Sequence, residues 1–405
     1  MSAPRLTIMR TTAALIALGA CLFVVVTAET LVIGLLPALS ADLRVPVPSA
    51  GLLVAGYALT VTIGGPLVTA ATLRVPRKAA LLGLVAVFAA GNALAASATG
   101  FGVLLAARVV TALTHSTFFA IALVLAASMV HPSKRGWAIA FVSTGLNLAT
   151  VLGAPLGTLV GEAYGWRTSF WLLAVVALAA MAAVALLVPA TRTAEPPRLG
   201  PELRALVTRP VLVLLAVTLV AETGFFVAYT YLSPILGRIF PPGGVVALLM
   251  VFGAGALCGN LAGGRLADRW PWASLRVLIA VLAAALVLFA VIASVRAGAV
   301  VGVFALGAVA FALVPGLQTR VVVAAAGAPT LAVAVYTSIF NLGISAGAWL
   351  GGRALSAGVA LGALPLLGAV GVLGGLAVSA LHRGGGLQSG RRSPATRRPT
   401  RRRAS

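Results

Sequence analysis

Charged side chains are scarce in this chain: 9% of 405 residues are Asp, Glu, Lys or Arg, against about 25% in soluble proteins. Acids are rarer still, with seven Asp and Glu in all. A chain so poor in charge and 61% apolar cannot hide its apolar surface inside one water-soluble core. A soluble enzyme and a disordered chain are thereby excluded. Cysteine is nearly absent, and both copies, Cys21 and Cys258, lie inside apolar runs. Neither a disulfide framework nor a metal site is indicated. The three histidines, His115, His131 and His382, are far apart in sequence. They form no cluster for a membrane enzyme acting on lipids, the alternative from a different class. No phosphate-cradling loop is present either, so no cofactor is expected and ATP drive within the chain is not indicated.

What remains is apolar sequence, enough for twelve spans of about 20 residues. They fall at 11–37, 47–72, 79–99, 101–130, 137–161 and 166–189, then at 211–237, 244–264, 275–295, 299–318, 331–352 and 359–381. The division at 296–331 is blurred by Pro315 and by the stretch from Gly327 to Pro329. The net charge of +22 is scattered in short clusters between the spans, without the aromatic interleaving of a nucleic-acid surface. With the N-terminus inside, 16 Lys and Arg fall on the cytoplasmic side before the tail and 5 on the other. The positive-inside rule therefore puts both termini in the cytoplasm of a multi-pass protein of the cell (inner or plasma) membrane. A competing reading takes Leu18-Gly19-Ala20-Cys21 as a lipoprotein cleavage box. The apolar run continues through Phe23 to Pro37, which is long enough to span.

An internal repeat organises the spans. Asn147-Leu148 recurs as Asn341-Leu342, and Gly153, Leu156 and Gly157 recur as Gly347, Leu350 and Gly351, all 194 residues on. Gly65 and Leu67 recur as Gly259 and Leu261 at the same offset, and Ala28-Glu29-Thr30 recurs as Ala221-Glu222-Thr223 at 193. The chain is expected to hold a six-helix half at 1–190, a cytoplasmic linker at 191–209, a second half at 210–383 and a disordered Arg-rich tail at 384–405. Because six is even, the halves are parallel repeats about the membrane normal.

Only Glu29 and Glu222 are acids deep in a span, and Arg108 is the only base inside one. An ionised group at mid-bilayer costs at least about 2.5–3.5 kcal/mol, so such residues mark pathways or paired sites. All three are candidates for proton coupling; the plainer alternative for either acid is a hydrogen bond between helices. Glu29 and Arg108 lie at similar depth, about 28 Å from the inner end and about 10 Å from the outer end, so an ion pair between them is expected. His115 shares the Arg108 face, a spacing of seven returning almost to the same angle. His115 and Phe119 are candidate cavity residues, with an interhelical hydrogen bond as the alternative for His115. Glu222, Phe225, Phe226 and Tyr229 fall at i, i+3, i+4 and i+7, one continuous face. They are candidates for binding an amphiphilic solute, or for ordinary packing. Asn147 and Asn341 are expected as polar glue between helices or as cavity residues.

Several motifs resemble the major facilitator superfamily. Asp42-Leu43, Ala50-Gly51-Leu52-Leu53 and Tyr57-Ala58-Leu59 are similar to its drug:proton antiporters. Gly153-Ala154-Pro155-Leu156-Gly157, followed by Gly165-Trp166-Arg167, resembles their fifth-helix motif and outer cap. Gly259-Asn260 and Gly263-Gly264-Arg265-Leu266-Ala267-Asp268-Arg269 resemble the superfamily's cytoplasmic loop motif. The resemblance is closest to the chloramphenicol-exporter and arabinose-efflux-like group. It implies an all-α membrane protein of twelve helices in two six-helix halves, a proton-coupled exporter of small amphiphilic compounds such as chloramphenicol-like antibiotics. A sugar or nucleoside exporter of the same fold is the alternative. It also implies gating roles for Gly153, Pro155, Gly157, Gly264, Asp268 and Arg269, and for Arg74, Arg77 and Lys78 after helix 2. The first loop departs from the pattern: Arg74 stands where the repeat has Asp268. Its three bases are equally read as topology signals. The partners implied are a small molecule, protons and the bilayer, with no nucleic acid, and a monomer is expected.

Overall fold

The computed structural model describes residues 3–72, 74–189, 206–325 and 329–380. Most of the expected linker and the whole 384–405 tail lie outside the described residues. Twelve long helices follow one another: α1 (Ala3–Asp42), α2 (Val47–Thr72), α3 (Arg77–Ala96), α4 (Phe101–Ser128), α5 (Arg135–Tyr164), α6 (Trp166–Leu187), α7 (Arg209–Tyr229), α8 (Pro242–Arg269), α9 (Pro271–Ile292), α10 (Arg296–Ala324), α11 (Pro329–Ser356) and α12 (Leu364–Ala380). A helical turn at Leu232–Leu236 prolongs α7. All twelve are long and apolar enough to cross a membrane. Helices suit that setting because every backbone polar group finds its partner within the segment.

Each expected span falls on one of these helices. Pro315 proves to lie inside α10, so the break blurred in the sequence falls after Ala324. Residues Gly264 to Arg269 form the last turns of α8, which corrects their reading as a loop. Between α5 and α6 the chain turns at Gly165, whose φ of 84° is a left-handed conformation open to glycine at little cost.

The repeat in the sequence is a repeat of helix contacts. In α5, a Cβ built on Gly153 would lie 2.6 Å from Thr30 Oγ1 of α1, and one on Gly157 would lie 2.6 Å from Leu31 Cβ. In α11, a Cβ on Gly347 would lie 2.7 Å from Phe226 Cβ of α7, and one on Gly351 would lie 2.9 Å from the Val227 carbonyl. Gly65 of α2 abuts Ser116 of α4, as Gly259 of α8 abuts the Ala308 backbone of α10. Small residues recur at these places because membrane helices gain from close backbone approach rather than from apolar burial. The halves also share an end cap. Lys78 Nζ donates to the Ala185 carbonyl at 2.7 Å, and Arg276 Nη2 donates to the Ser379 carbonyl at 3.4 Å. A cation thus serves the terminal carbonyls of α6 and of α12.

The two halves meet at the end where α1 stops and α2 starts. Ser233 Oγ, beyond α7, donates to the Gly34 carbonyl of α1 at 3.0 Å. The fully buried Tyr231 donates to the Ala348 carbonyl at 2.8 Å and lies against Gly51 of α2 and Gly351 and Gly352 of α11. Further in, Thr62 Oγ1 donates to the Ser338 carbonyl at 3.1 Å, and Gly253 of α8 rests on the Val151 backbone of α5.

Candidate functional site

Four side chains from three helices converge inside the first half. Arg108 of α4 is 1% exposed, and its guanidinium carbon lies 4.0 Å above the Tyr57 ring of α2. Its Nη1 donates to the Ala28 carbonyl and its Nη2 to the Glu29 carbonyl, the latter at 3.4 Å. His115, two turns along α4, approaches the same tyrosine: Nδ1 and Tyr57 Oη are 3.0 Å apart. Its other nitrogen, Nε2, lies 3.8 Å from Glu29 Oε2. When Tyr57 donates to Nδ1, Nε2 carries the ring proton and turns it toward the Glu29 carboxyl. The Glu29 side chain keeps 20% of its surface exposed.

This geometry corrects one expectation and extends another. Arg108 does not pair with the Glu29 carboxyl; it holds the backbone of α1 on either side of that residue. Its planar fork finds two carbonyls on one helix face and the ring of Tyr57, leaving the carboxyl to His115. The shared face of Arg108 and His115 is real, and Tyr57 is what they share. Tyr57 was legible as part of a motif, but not as the partner of Arg108 and His115, since contacts across 58 residues leave no local periodicity.

Glu222 has no such company. It is 6% exposed, and its Cβ lies where a side chain at Gly343 of α11 would stand. The Tyr336 hydroxyl donates to the Val314 carbonyl at 3.4 Å. Among the described residues the Glu222 carboxyl makes no hydrogen bond or ion pair. The rings that follow it on α7 pack on one another, Phe226 standing edge-on to Phe225 at 5.3 Å and to Tyr229 at 5.4 Å. Phe225 and Tyr229 stack at 5.2 Å, and Tyr229 stacks on Phe252 of α8 at 4.5 Å. Phe226 turns to Phe340 of α11 at 6.5 Å, which stands 6.2 Å from Tyr336. All three α7 rings are buried, so in this conformation they meet other rings rather than open space.

The remaining candidates are dispersed. Phe119 is half-buried on α4, and Asn147 is exposed on α5. Asn341 Nδ2 donates to the Thr337 carbonyl of its own helix at 3.0 Å, and its Oδ1 is buried without a partner. Neither asparagine ties two helices together by a hydrogen bond among the described residues, which corrects the reading of both as polar glue. A membrane helix can satisfy an asparagine amide on its own preceding turn. Gly153 and Gly157 form the α1–α5 seam described above, with Pro155 buried between them. Arg74 and Asp268 are exposed and Arg77 is half-buried; among the described residues none of them forms an ion pair. Lys78 is engaged on α6, and Arg269 lies 4.9 Å over the Trp270 ring. Gly264 faces open space. The cap joining the ends of α1 and α6 is more firmly built. Asp42 Oδ2 accepts from Trp166 Nε1 at 3.0 Å and from Arg167 Nη1 at 2.7 Å, while Arg167 Nη2 donates to the Ala98 carbonyl at 3.1 Å.

Comparison with known proteins places this geometry. The family model described as Major Facilitator Superfamily matches residues 18–348. The chain is 38% identical over 346 residues to "Uncharacterized MFS-type transporter YtbD" of Bacillus subtilis (strain 168), covering 84% of this chain and 87% of that protein. It is 38% identical over 331 residues to a "Chloramphenicol resistance protein" of Streptomyces lividans, covering 79% and 83%. Among solved structures, a bacterial homolog of the human lysosomal transporter Spinster superposes with a TM-score of 0.68 at 15% identity, covering 94% of this chain and 96% of that one.

Proposed function

The chain belongs to the Major Facilitator Superfamily, and from that premise we propose that it exports small amphiphilic compounds, chloramphenicol-like antibiotics among them, in exchange for protons. One observation carries the reading: Glu29, an acid within a membrane span, is partly exposed beside a histidine, while a buried arginine grips its backbone. An acid in that position is costly unless it works. Glu29 carries the proton. His115, whose Nε2 stands 3.8 Å from that carboxyl, and Tyr57, hydrogen-bonded to the far side of the imidazole, offer a path along which a proton moves between the carboxyl and the interior of the first half. Arg108, from α4, holds a fixed positive charge against the α1 backbone beside the acid.

The transport step is an exchange of which end is closed. With both termini cytoplasmic, as the charge count argues, the end joined by Ser233 and Tyr231 faces outward and is shut. A substrate enters from the cytoplasm between the halves, and the halves then rock about it. Each 100 mV of membrane potential contributes about 2.3 kcal/mol per charge moved inward, enough to drive a neutral compound outward against a gradient. The relative from Streptomyces lividans supports chloramphenicol as the first compound to try. The test is uptake by inverted membrane vesicles of chloramphenicol, a pentose and a nucleoside in parallel, before and after the proton gradient is collapsed. Gradient-dependent uptake of chloramphenicol is expected. Uptake of the sugar or nucleoside instead would move the substrate class while leaving the coupling intact.

A further inference from the structure

A groove on the outside of the second half belongs to no part of the transport reading. Its volume is about 480 Å³, and it lies where α9 packs against α12. Ala280, Ala283 and Ala284 line one end, Val287 and Val291 the other, and Leu373 lines it from α12. All but Ala283 are exposed, so the groove opens toward the bilayer. From Ala280 to Val291 it runs about 16 Å along α9 at 1.5 Å per residue. That is the depth of one leaflet of a hydrocarbon core about 30 Å thick. A volume of about 480 Å³ over this length leaves a cross-section of about 30 Å², whereas a helix about 10 Å across needs about 80 Å². A helix of a second copy cannot enter. A single acyl chain can.

The ends of the groove differ in chemistry. The Ala280 end lies near the middle of α9, at the depth where a lipid tail stops. Beyond the Val291 end α9 closes at Ile292, and the exposed Ser294 and Arg296 follow. The charge count puts this end outside, where Lys and Arg are few. Arg167 on the same side is answered by the Asp42 carboxylate, but among the described residues Arg296 forms no ion pair. A leaflet-deep apolar groove with an unanswered cation at its rim has the chemistry of a phospholipid site. The tail gains little by leaving other tails, which are as apolar as the groove. It fills a gap that otherwise lacks dispersion contacts, and a charge-assisted hydrogen bond to phosphate selects which lipid stays.

We propose that the α9–α12 groove holds one acyl chain of an anionic phospholipid whose phosphate is bound by Arg296. With both termini cytoplasmic, the lipid belongs to the outer leaflet. The site needs the membrane-spanning fold but not the export reading.

The test uses the full chain in mild detergent, titrated with phosphatidylglycerol or phosphatidylcholine and read by native mass spectrometry. Wild type is expected to bind one phosphatidylglycerol about tenfold more tightly than phosphatidylcholine, the scale of a hydrogen bond to a charged group. Arg296→Gln is expected to bind the two lipids about equally, and Arg296→Lys to keep most of the preference, since either cation meets phosphate. Ala284→Phe fills the groove and is expected to weaken both lipids by about tenfold, through lost contact. Val175→Phe puts the same ring on an exposed position of α6 and is expected to bind as wild type does. A thermal melt before lipid is added shows that each variant is folded, and Ala280→Leu is the milder filling variant should Ala284→Phe not be. The site is refuted if wild type binds both lipids alike or if Arg296→Gln keeps the preference. Equal binding by the groove-filling variant and Val175→Phe also refutes it.

Discussion

Replacing Ser233 by alanine removes one hydrogen bond that joins the halves, and its consequence can be sized. Ser233 is 2% exposed, and its Oγ donates to the Gly34 carbonyl at 3.0 Å. Donor and acceptor belong to opposite halves, so the bond exists only while this end is shut. The Gly34 carbonyl lies within α1, where the N–H one turn on serves it, so no buried acceptor is orphaned. The loss is then an ordinary net hydrogen bond, about 0.5–1.5 kcal/mol. That shifts the open-to-shut ratio by roughly 2- to 12-fold toward open. Tyr231→Phe is the control, because the bond it loses, to Ala348, lies within one half, while its ring keeps its place against Gly51 of the other. Spin labels at Ala41 and Arg238, both exposed at this end, in a background lacking Cys21 and Cys258, report the populations by pulsed distance measurement. Ser233→Ala is expected to raise the long-distance population, and Tyr231→Phe to leave it near the wild-type level. An unmoved distribution in Ser233→Ala, or an equal shift in both variants, refutes the assignment of this contact as the latch.

Three further outcomes are expected. Arg108→Ala removes two donors to α1 and the charge over Tyr57, and transport should fall at least about tenfold; Arg108→Lys should restore only part of it, since an ammonium cannot serve both carbonyls from one plane. Wild-type rates in Arg108→Ala would remove this residue from the mechanism. Gly259→Val places a branched side chain against the Ala308 backbone and should cost about 1–3 kcal/mol of overpacking or more, read as lost folded protein in a thermal-stability assay. Unchanged stability would contradict the α8–α10 seam. Reporter fusions after residues 200 and 385 should both read cytoplasmic, and an external reading at either would overturn the orientation.

The architecture was legible in the sequence because its causes are local. A span must be about 20 apolar residues long, and close helix contacts demand glycine, so Gly153 and Gly347 or Gly65 and Gly259 reveal the repeat before any contact is seen. The site was half legible. Glu29, Arg108 and His115 stood out because a charge or an imidazole in a span is rare. What Arg108 touches did not, because a backbone carbonyl has no sequence signature, and two carbonyls of α1 took the place expected for a carboxylate. The contacts of Tyr57, quoted only as part of a motif, were hidden for the same kind of reason: its neighbours come from other helices. Asn341 bonds to its own preceding turn rather than to a second helix, a local option that its sequence context does not distinguish from contact between helices. The aromatic face of α7 was visible, but its partners Phe252 and Phe340 are assembled only by the fold.

The most direct measurement of the central claim is drug-driven proton movement in inverted vesicles containing wild type or Glu29→Gln. The glutamine keeps the volume and much of the hydrogen bonding of Glu29 but cannot carry a proton across the 3.8 Å that separates it from His115. With chloramphenicol as probe, wild type is expected to accumulate the compound against its gradient and to dissipate the proton gradient as it does so. Glu29→Gln, inserted in equal amount, is expected to do neither, while still exchanging chloramphenicol down its gradient. Uphill accumulation by Glu29→Gln that persists after the proton gradient is collapsed would contradict proton-coupled export.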